Sequence, residues 1–240
     1  MRFAVDATEF DVLWRGQGLG VPPAVLDMPS PGGSRAERAR IEHAVWSALT
    51  GRGLATGFGE TALGLRAALG VVAGRVTSFE LYTAELRALL GRVNHQAVLV
   101  EFADGRLSLR TVADTGLAQT IAALLPDLPA GHGRSITVDA GLLARTEAAP
   151  SPRVVLRRGG LSRDDARTLA DMMCGAEGHG QIVAEVTRHG VTRRSDRVVA
   201  FFHNATGRYR VIRTDEHITI TPVTRAMLAA AADELISEPP

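Results

Sequence analysis

The stretch Val198–Val211, VVAFFHNATGRYRV, limits what this chain can fold into more than any other. An apolar run, a short turn holding Asn204 and Gly207, and a return segment in strict alternation make the pattern of a β-hairpin. The alternation predicts Arg208 and Arg210 outward, Tyr209 and Val211 inward. Upstream, VLVEFADGRLSLRTV repeats the phrase. Val98, Leu99 and Phe102 answer Val198, Val199 and Phe202, Gly105 answers Gly207, and Leu107 and Leu109 answer Tyr209 and Val211. A β-like run precedes each hairpin, and an amphipathic helix follows each, directly or after one more strand. The echo predicts a duplicated unit of hairpin-linked, antiparallel strands. The expected class is α+β, with helices at the faces or ends of the sheet.

The helices are marked by their starts. Ser34 and Glu37 form the S-x-x-E of a capping box, and Ile41, Val45 and Leu49, with Trp46 alongside, give an apolar stripe that ends at Gly51 and Gly53. Residues 3–14 read as short β-like or mixed material, 59–73 as a second helix and 76–82 as a strand. The segment 85–96, a leucine cluster followed by GRVNH, reads as a loop leading into the first hairpin. Leu117, Ile121 and Leu124 predict a short helix ended by Pro126. The Pro/Gly-rich stretch 126–133 divides a single domain, 1–240, into halves of about 1–128 and 134–240. In the second half, Ile136–Val138 and Val154–Leu156 read as strands. Ser162 and Asp165 open a helix with Ala166, Leu169 and Met173 inward. Strands follow at Gln181–Thr187 and Ile218–Thr221. The last helix is entered through Thr221–Pro222 and carries Met227 or Leu228, Ala231 and Leu235.

Chemistry is harder to find. The chain has 27 basic residues, all arginine, against 26 acidic ones, so no general field favours nucleic acid or an anionic membrane. One cysteine, Cys174, excludes an intrachain disulfide and a multi-cysteine zinc site. No apolar run is long enough to span a bilayer, and MRFAVDATEF lacks the pattern of a signal peptide. A cytoplasmic protein without membrane insertion is expected. The seven histidines fit no H-E-x-x-H frame. Gly57–Ala62 matches G-x-G-x-x-A but lacks the preceding strand of a dinucleotide site. No nucleophile is paired with a base. No catalytic or metal-binding constellation is therefore assembled by these residues. An enzyme using His179, His189 or His203, and a small-ligand sensor or carrier with a cleft between duplicated halves, are the competing readings.

One block carries more than its chemistry. Leu13–Trp14, Gly18–Leu19–Gly20, Pro23, Val25–Leu26, Pro29–Ser30–Pro31–Gly32, Glu37–Arg38, Trp46, Leu49 and Arg52–Gly53–Leu54 together resemble the opening of the EspG family of ESX (type VII) secretion-associated proteins. The similarity resumes at Gly207–Arg208–Tyr209 and at Ile218–Pro222. His217 departs from it, standing where a bulky aromatic is expected. The resemblance implies a central antiparallel sheet with two helical bundles in quasi-twofold arrangement. It also implies a cytosolic chaperone, neither an enzyme nor dependent on a cofactor, that binds the PPE subunit of PE–PPE heterodimers, keeps it soluble and directs it to the secretion machinery. Client contact would fall on the loop following the strand after the first helices, taken here as residues 85–96, and on the last helical bundle. Leu89 and Leu90 would supply apolar contact, Arg87, Arg92, Asn94 and His95 the rim, and Met172, Met173, Met227 and Leu228 the adaptable bundle surface. The reading leaves room for a homodimer of the free protein.

Overall fold

Local signals set most of the elements in the computed structural model, which describes residues 1–147 and 149–237. Strand β1 (Arg2–Asp6) runs straight into helix α1 (Ala7–Gly16). Asp6 caps that helix, accepting from the Glu9 amide at 2.8 Å while the Glu9 carboxylate accepts from the Asp6 amide at 3.0 Å. This reciprocal box lies in what reads from sequence as mixed material. Helix α2 (Arg35–Gly51) starts at Ser34 as expected. Its Glu37, however, accepts from the Gly33 amide rather than closing on Ser34. Strands β2 (Ala55–Gly57) and β3 (Glu60–Thr61) form a small hairpin, so the second long helix, α3 (Leu63–Ala73), begins later than its apolar content suggests. Four strands follow: β4 (Thr77–Thr83), β5 (Arg87–Val93), β6 (Gln96–Ala103) and β7 (Arg106–Val112). Helix α4 (Leu117–Ala122) follows.

The second half opens with β8 (Ile136–Asp139), α5 (Ala140–Glu147) and α6 (Pro152–Arg158). Val154–Leu156, read from sequence as a strand, is helical. Pro152 sits in the first turn, where its missing N–H costs nothing, and Leu156 alone of the trio is buried. Helix α7 (Arg163–Met173) is capped by Ser162. Then come β9 (Glu177–Arg188), β10 (Val191–Arg194), β11 (Val199–Asn204), β12 (Gly207–Arg213) and β13 (His217–Pro222). The last helix is α8 (Arg225–Ser237). Pro222 ends β13 instead of starting this helix, and Thr224 caps it through the Met227 amide.

Two compact units result. One comprises Met1–Leu117 with Ala184–Arg194, the other Ala118–Val183 with Ser195–Pro240. In the first, the strand order is β1-β7-β6-β5-β4, and in the second it is β8-β13-β12-β11-β9 with β9 counted up to Val183, these ladders being antiparallel. With the small β2–β3 hairpin and the side strand β10 set aside, the two runs repeat one plan: a strand, helices, then four strands. The repeated plan is present, but the echoing phrases are not its equivalent parts. By position in the order, β6 corresponds to β12 and β5 to β11. The phrases that rhyme, β6–β7 and β11–β12, are neighbouring hairpins of the plan, not equivalent ones. Consecutive antiparallel hairpins read alike because they share the same turn chemistry and alternation.

The residues of the N-terminal signature prove to be structural. Asp11 of α1 accepts from Arg15 Nε at 2.8 Å, from Ser30 Oγ at 3.0 Å and from Arg38 of α2. Gly32 leaves room for the α2 backbone, since a Cβ there would lie 3.1 Å from Arg38 Cα. Trp14 donates to the Gly20 carbonyl at 2.9 Å, and Arg52 holds the buried Glu9 at 2.7 Å. Val25, Leu26, Trp46 and Leu49 are buried in one cluster with Leu65, Leu69, Leu89 and Val100. In the second unit, Gly207–Arg208–Tyr209 does similar work. Arg208, expected to point outward, is wholly buried and donates to the Pro126 carbonyl at 2.5 Å. Tyr209 donates to the His132 carbonyl at 3.0 Å, and a Cβ at Gly131 would collide with its ring. The Pro126–Gly133 stretch is thus strapped onto β12. His217 lies exposed at the start of β13, so the loss of an aromatic there leaves the core intact.

Two tests follow from this packing. Trp46→Ala is expected to destabilise the protein by about 3–5 kcal/mol in urea denaturation; a change below about 1 kcal/mol would show that the ring carries little of the core. For Asp11, burial pushes the carboxyl pKa up, but hydrogen bonds from Arg15, Arg38 and Ser30 outweigh that and hold it below its ordinary 3.8. Its stabilisation is fully present above 3.8 and is lost as pH falls through the lower folded value. Denaturation at pH values from about 5 to about 2 should therefore show a shallower acid-side loss for Asp11→Asn than for the unmodified protein.

Candidate functional site

The segment expected to be a client-facing loop, residues 85–96, is mostly strand β5. It is paired along its length with β4 on one side and β6 on the other. Leu89 and Leu90 are each 0% exposed, and Leu89 joins the cluster with Leu65 and Val100. Neither can offer surface to a partner in this fold. Adjacent residues of a strand point to opposite faces, so both being buried means that both faces of the sheet are covered here. Such a strand has no alternation to betray it, which is why Arg87–Val93, with a glycine inside it, reads as a loop.

The polar residues of the expected rim separate as well. Arg87 lies at one end of β5, its guanidinium 4.5 Å from the centre of the Phe102 ring and donating to the Asp27 carbonyl at 3.3 Å. Arg92 lies about 17 Å away along the strand, donating to Thr77 Oγ1 at 3.3 Å and the Asp114 carbonyl at 3.5 Å. His95 meets the Asp114 carboxylate at 3.2 Å, and exposed Asn94 takes a left-handed turn conformation beside it. The connection between β4 and β5 is only Ala84–Leu86. It is braced by Thr83, whose hydroxyl accepts from the Leu86 amide at 2.9 Å. Ala84 and Glu85 are exposed, while Tyr82, Leu86 and Arg87 are half-buried around them.

In the second unit, Met172 is buried among Leu169, Phe202 and Tyr209, so it, and not Met173, is the inward methionine of α7. Leu228 is buried too, whereas Met227 on the same helix is 49% exposed. Of the four bundle residues, Met227 and the half-buried Met173 retain accessible surface.

A charged network on β4, β9 and β10 of the first unit has no counterpart in any sequence motif. Glu80 is 0% exposed. One of its carboxylate oxygens accepts from Arg194 Nη1 at 2.9 Å and from the Tyr82 hydroxyl at 2.8 Å; the other has no partner. Arg194 also meets Glu185 at 3.3 Å, and Arg75 meets Glu185 at 3.0 Å. Burial and the Glu80 carboxylate push the Tyr82 phenol pKa up. For Arg194, burial pushes the other way, but its contacts with Tyr82 and Glu80 prevail and raise it. No signal short of the strand order could have found this set, because Glu80 and Arg194 are far apart in the chain. Among the described residues, no group of three or more His, Cys, Asp and Glu side chains could hold a metal, and no helix is long and apolar enough to cross a membrane.

Removing one partner of a buried ion pair strands the other, which is costly, though the part-exposed Arg194 softens the effect. Arg194→Ala is expected to cost about 1–3 kcal/mol in urea denaturation. Adding Glu80→Gln should recover part of that loss if the cost is the stranded carboxylate; strictly additive effects would contradict it.

Comparison with known proteins was decisive on kinship. The family model described as the EspG family matches residues 6–234. No curated protein matches the chain. Among solved structures, a chain of the Mycobacterium tuberculosis type VII secretion system chaperone EspG5 in complex with the PE25–PPE41 dimer is similar, with a TM-score of 0.76 at 13% identity. The match covers 100% of this chain and 97% of that one. At that identity the likeness is one of fold.

Proposed function

The chain belongs to the EspG family, and from that premise we propose that it is a chaperone of a type VII secretion system. It binds the PPE subunit of a PE–PPE heterodimer, keeps the client soluble in the cytoplasm and directs it to the secretion machinery. The observation that carries this reading is the family match across residues 6–234. The similar fold of a chain in the EspG5 complex with PE25–PPE41 supports it. Nothing in such a role requires a catalytic group, a metal or a cofactor. It requires accessible apolar surface with a polar rim. The whole chain works as a single EspG-like domain of two duplicated units, and the free protein is open to homodimer formation.

Two places meet the surface requirement. One is the β4–β5 end of the first unit, where the short turn Ala84–Leu86 sits beside Tyr82 and Arg87. The other is Met227 on α8 with Met173 on α7, whose flexible thioethers adapt to varied partners. Arg92, Asn94 and His95, at the far end of β5, serve as a rim only for a client broad enough to span that strand. Leu89, Leu90, Met172 and Leu228 are left to the core.

Co-expression with the PE–PPE pair encoded nearest its gene, followed by size-exclusion chromatography with light scattering, is expected to yield a complex holding one copy of each chain. A protein that elutes alone beside every cognate pair would count against the proposal. Arg87→Glu is expected to weaken client capture at least about tenfold, or about 1.4 kcal/mol, with stability unchanged. Unaltered affinity would move the contact away from the β4–β5 end.

A further inference from the structure

Strand β10 buries none of its residues, yet it is firmly held. All four residues of β10 are exposed, and among the strands it pairs with β9 alone. Its outer edge is therefore a short row of backbone donors and acceptors open to another strand. The two faces of the hairpin differ. Thr192 and Arg194 share a face with Thr187 and Glu185, and this face is tied down: the threonine hydroxyls meet at 2.8 Å, and Arg194 reaches Glu80 and Glu185. On the other face, Val191 lies across from Arg188 and Arg193 across from Val186. Val191 is 57% exposed, and both arginines are exposed.

Residues 188–194, RHGVTRR, hold three arginines and no acid, in a chain whose charges otherwise nearly cancel. The acids that reach this hairpin, Glu80 and Glu185, are spent on Arg194 and Arg75. Charged edges commonly serve to block strand-to-strand aggregation. Here the block is selective. A second copy of this hairpin would set arginine against arginine, which is unfavourable across a ladder. An acidic strand would meet the same arginines as counter-ions.

We infer that β10 is a docking edge for an extended, acidic segment of a partner polypeptide, which adds to the sheet as a further strand. Main-chain hydrogen bonds along β10 supply the pairing. Acidic side chains alternate toward Arg193 and Arg188, and an apolar one rests on Val191. The Arg194–Glu80 pair holds the edge straight from the opposite face, so the site is formed before the partner arrives. This edge adjoins the β4–β5 end proposed above through the Arg194, Glu80 and Tyr82 side chains, but the inference does not depend on that reading.

The test uses the full chain and a short synthetic peptide, capped at both ends, that alternates glutamate with threonine and valine. Its counterpart carries arginine in place of glutamate. In fluorescence anisotropy the acidic peptide is expected to bind saturably, about tenfold more weakly with Arg193→Glu and close to normally with Arg193→Lys. Added salt should weaken it further. Hydrogen exchange should slow over residues 191–194 when the acidic peptide is bound. Equal binding of the two peptides, binding indifferent to Arg193→Glu, or absence of protection over 191–194 would overturn the inference. So would concentration-dependent self-association through the hairpin, which would make a second copy the occupant.

Discussion

The structure depends on three central strands, β4, β5 and β6, that are dry on both faces for most of their length. Leu89 and Leu90 are successive residues of one strand, and neither touches solvent. A central strand of this kind needs a neighbour on each edge and a covering layer on each face. The requirement dictates much else. It explains why apolar residues run consecutively through β4, β5 and β6, and why helices precede the strands in both units. It also forces charged groups caught within the sheet, such as Glu80 and Arg208, to find partners or carbonyls nearby.

The same constraint decides where binding chemistry can live. With the faces of these central strands consumed by packing, what remains around them is strand ends, turns and edges, together with the outer sides of helices. Arg87 at the end of β5, Met227 on α8 and the open edge of β10 are all places of that kind. The N-terminal signature that identifies the family lies elsewhere. Asp11, Ser30, Gly32 and Arg38 clamp α1, the connecting loop and α2 together, and Trp46 and Leu49 fill the cluster beneath. The residues that carry the family resemblance are ones that build the fold.

That division explains what was legible. Helix α2, the hairpins β6–β7 and β11–β12 and the capped start of α7 are written in short-range chemistry: a serine before a carboxylate, a glycine in a turn, strict alternation on the half-wet strand β7. Strand β5 and helix α6 were misread because their signals are ambiguous over short distances. A doubly buried strand lacks alternation, and a one- or two-turn helix with adjacent valines looks like a strand. The duplication was visible, but its register was not, since neighbouring hairpins of one plan rhyme as well as equivalent ones do.

By itself the sequence determined the α+β class, the antiparallel pairing, the repeated plan and membership of the EspG family, because each rests on local periodicity or on a dense block of residues near one another in the chain. Tertiary structure alone decided which of the ten expected contact residues keep any surface: Leu89, Leu90, Met172 and Leu228 lost it, and Arg87 and Arg92 parted to opposite ends of a strand. It alone joined Glu80 to Arg194 and left β10 with an open edge. Burial, salt bridges and free edges are set by which segments become neighbours, and a linear pattern records the chemistry of each segment without recording its neighbour.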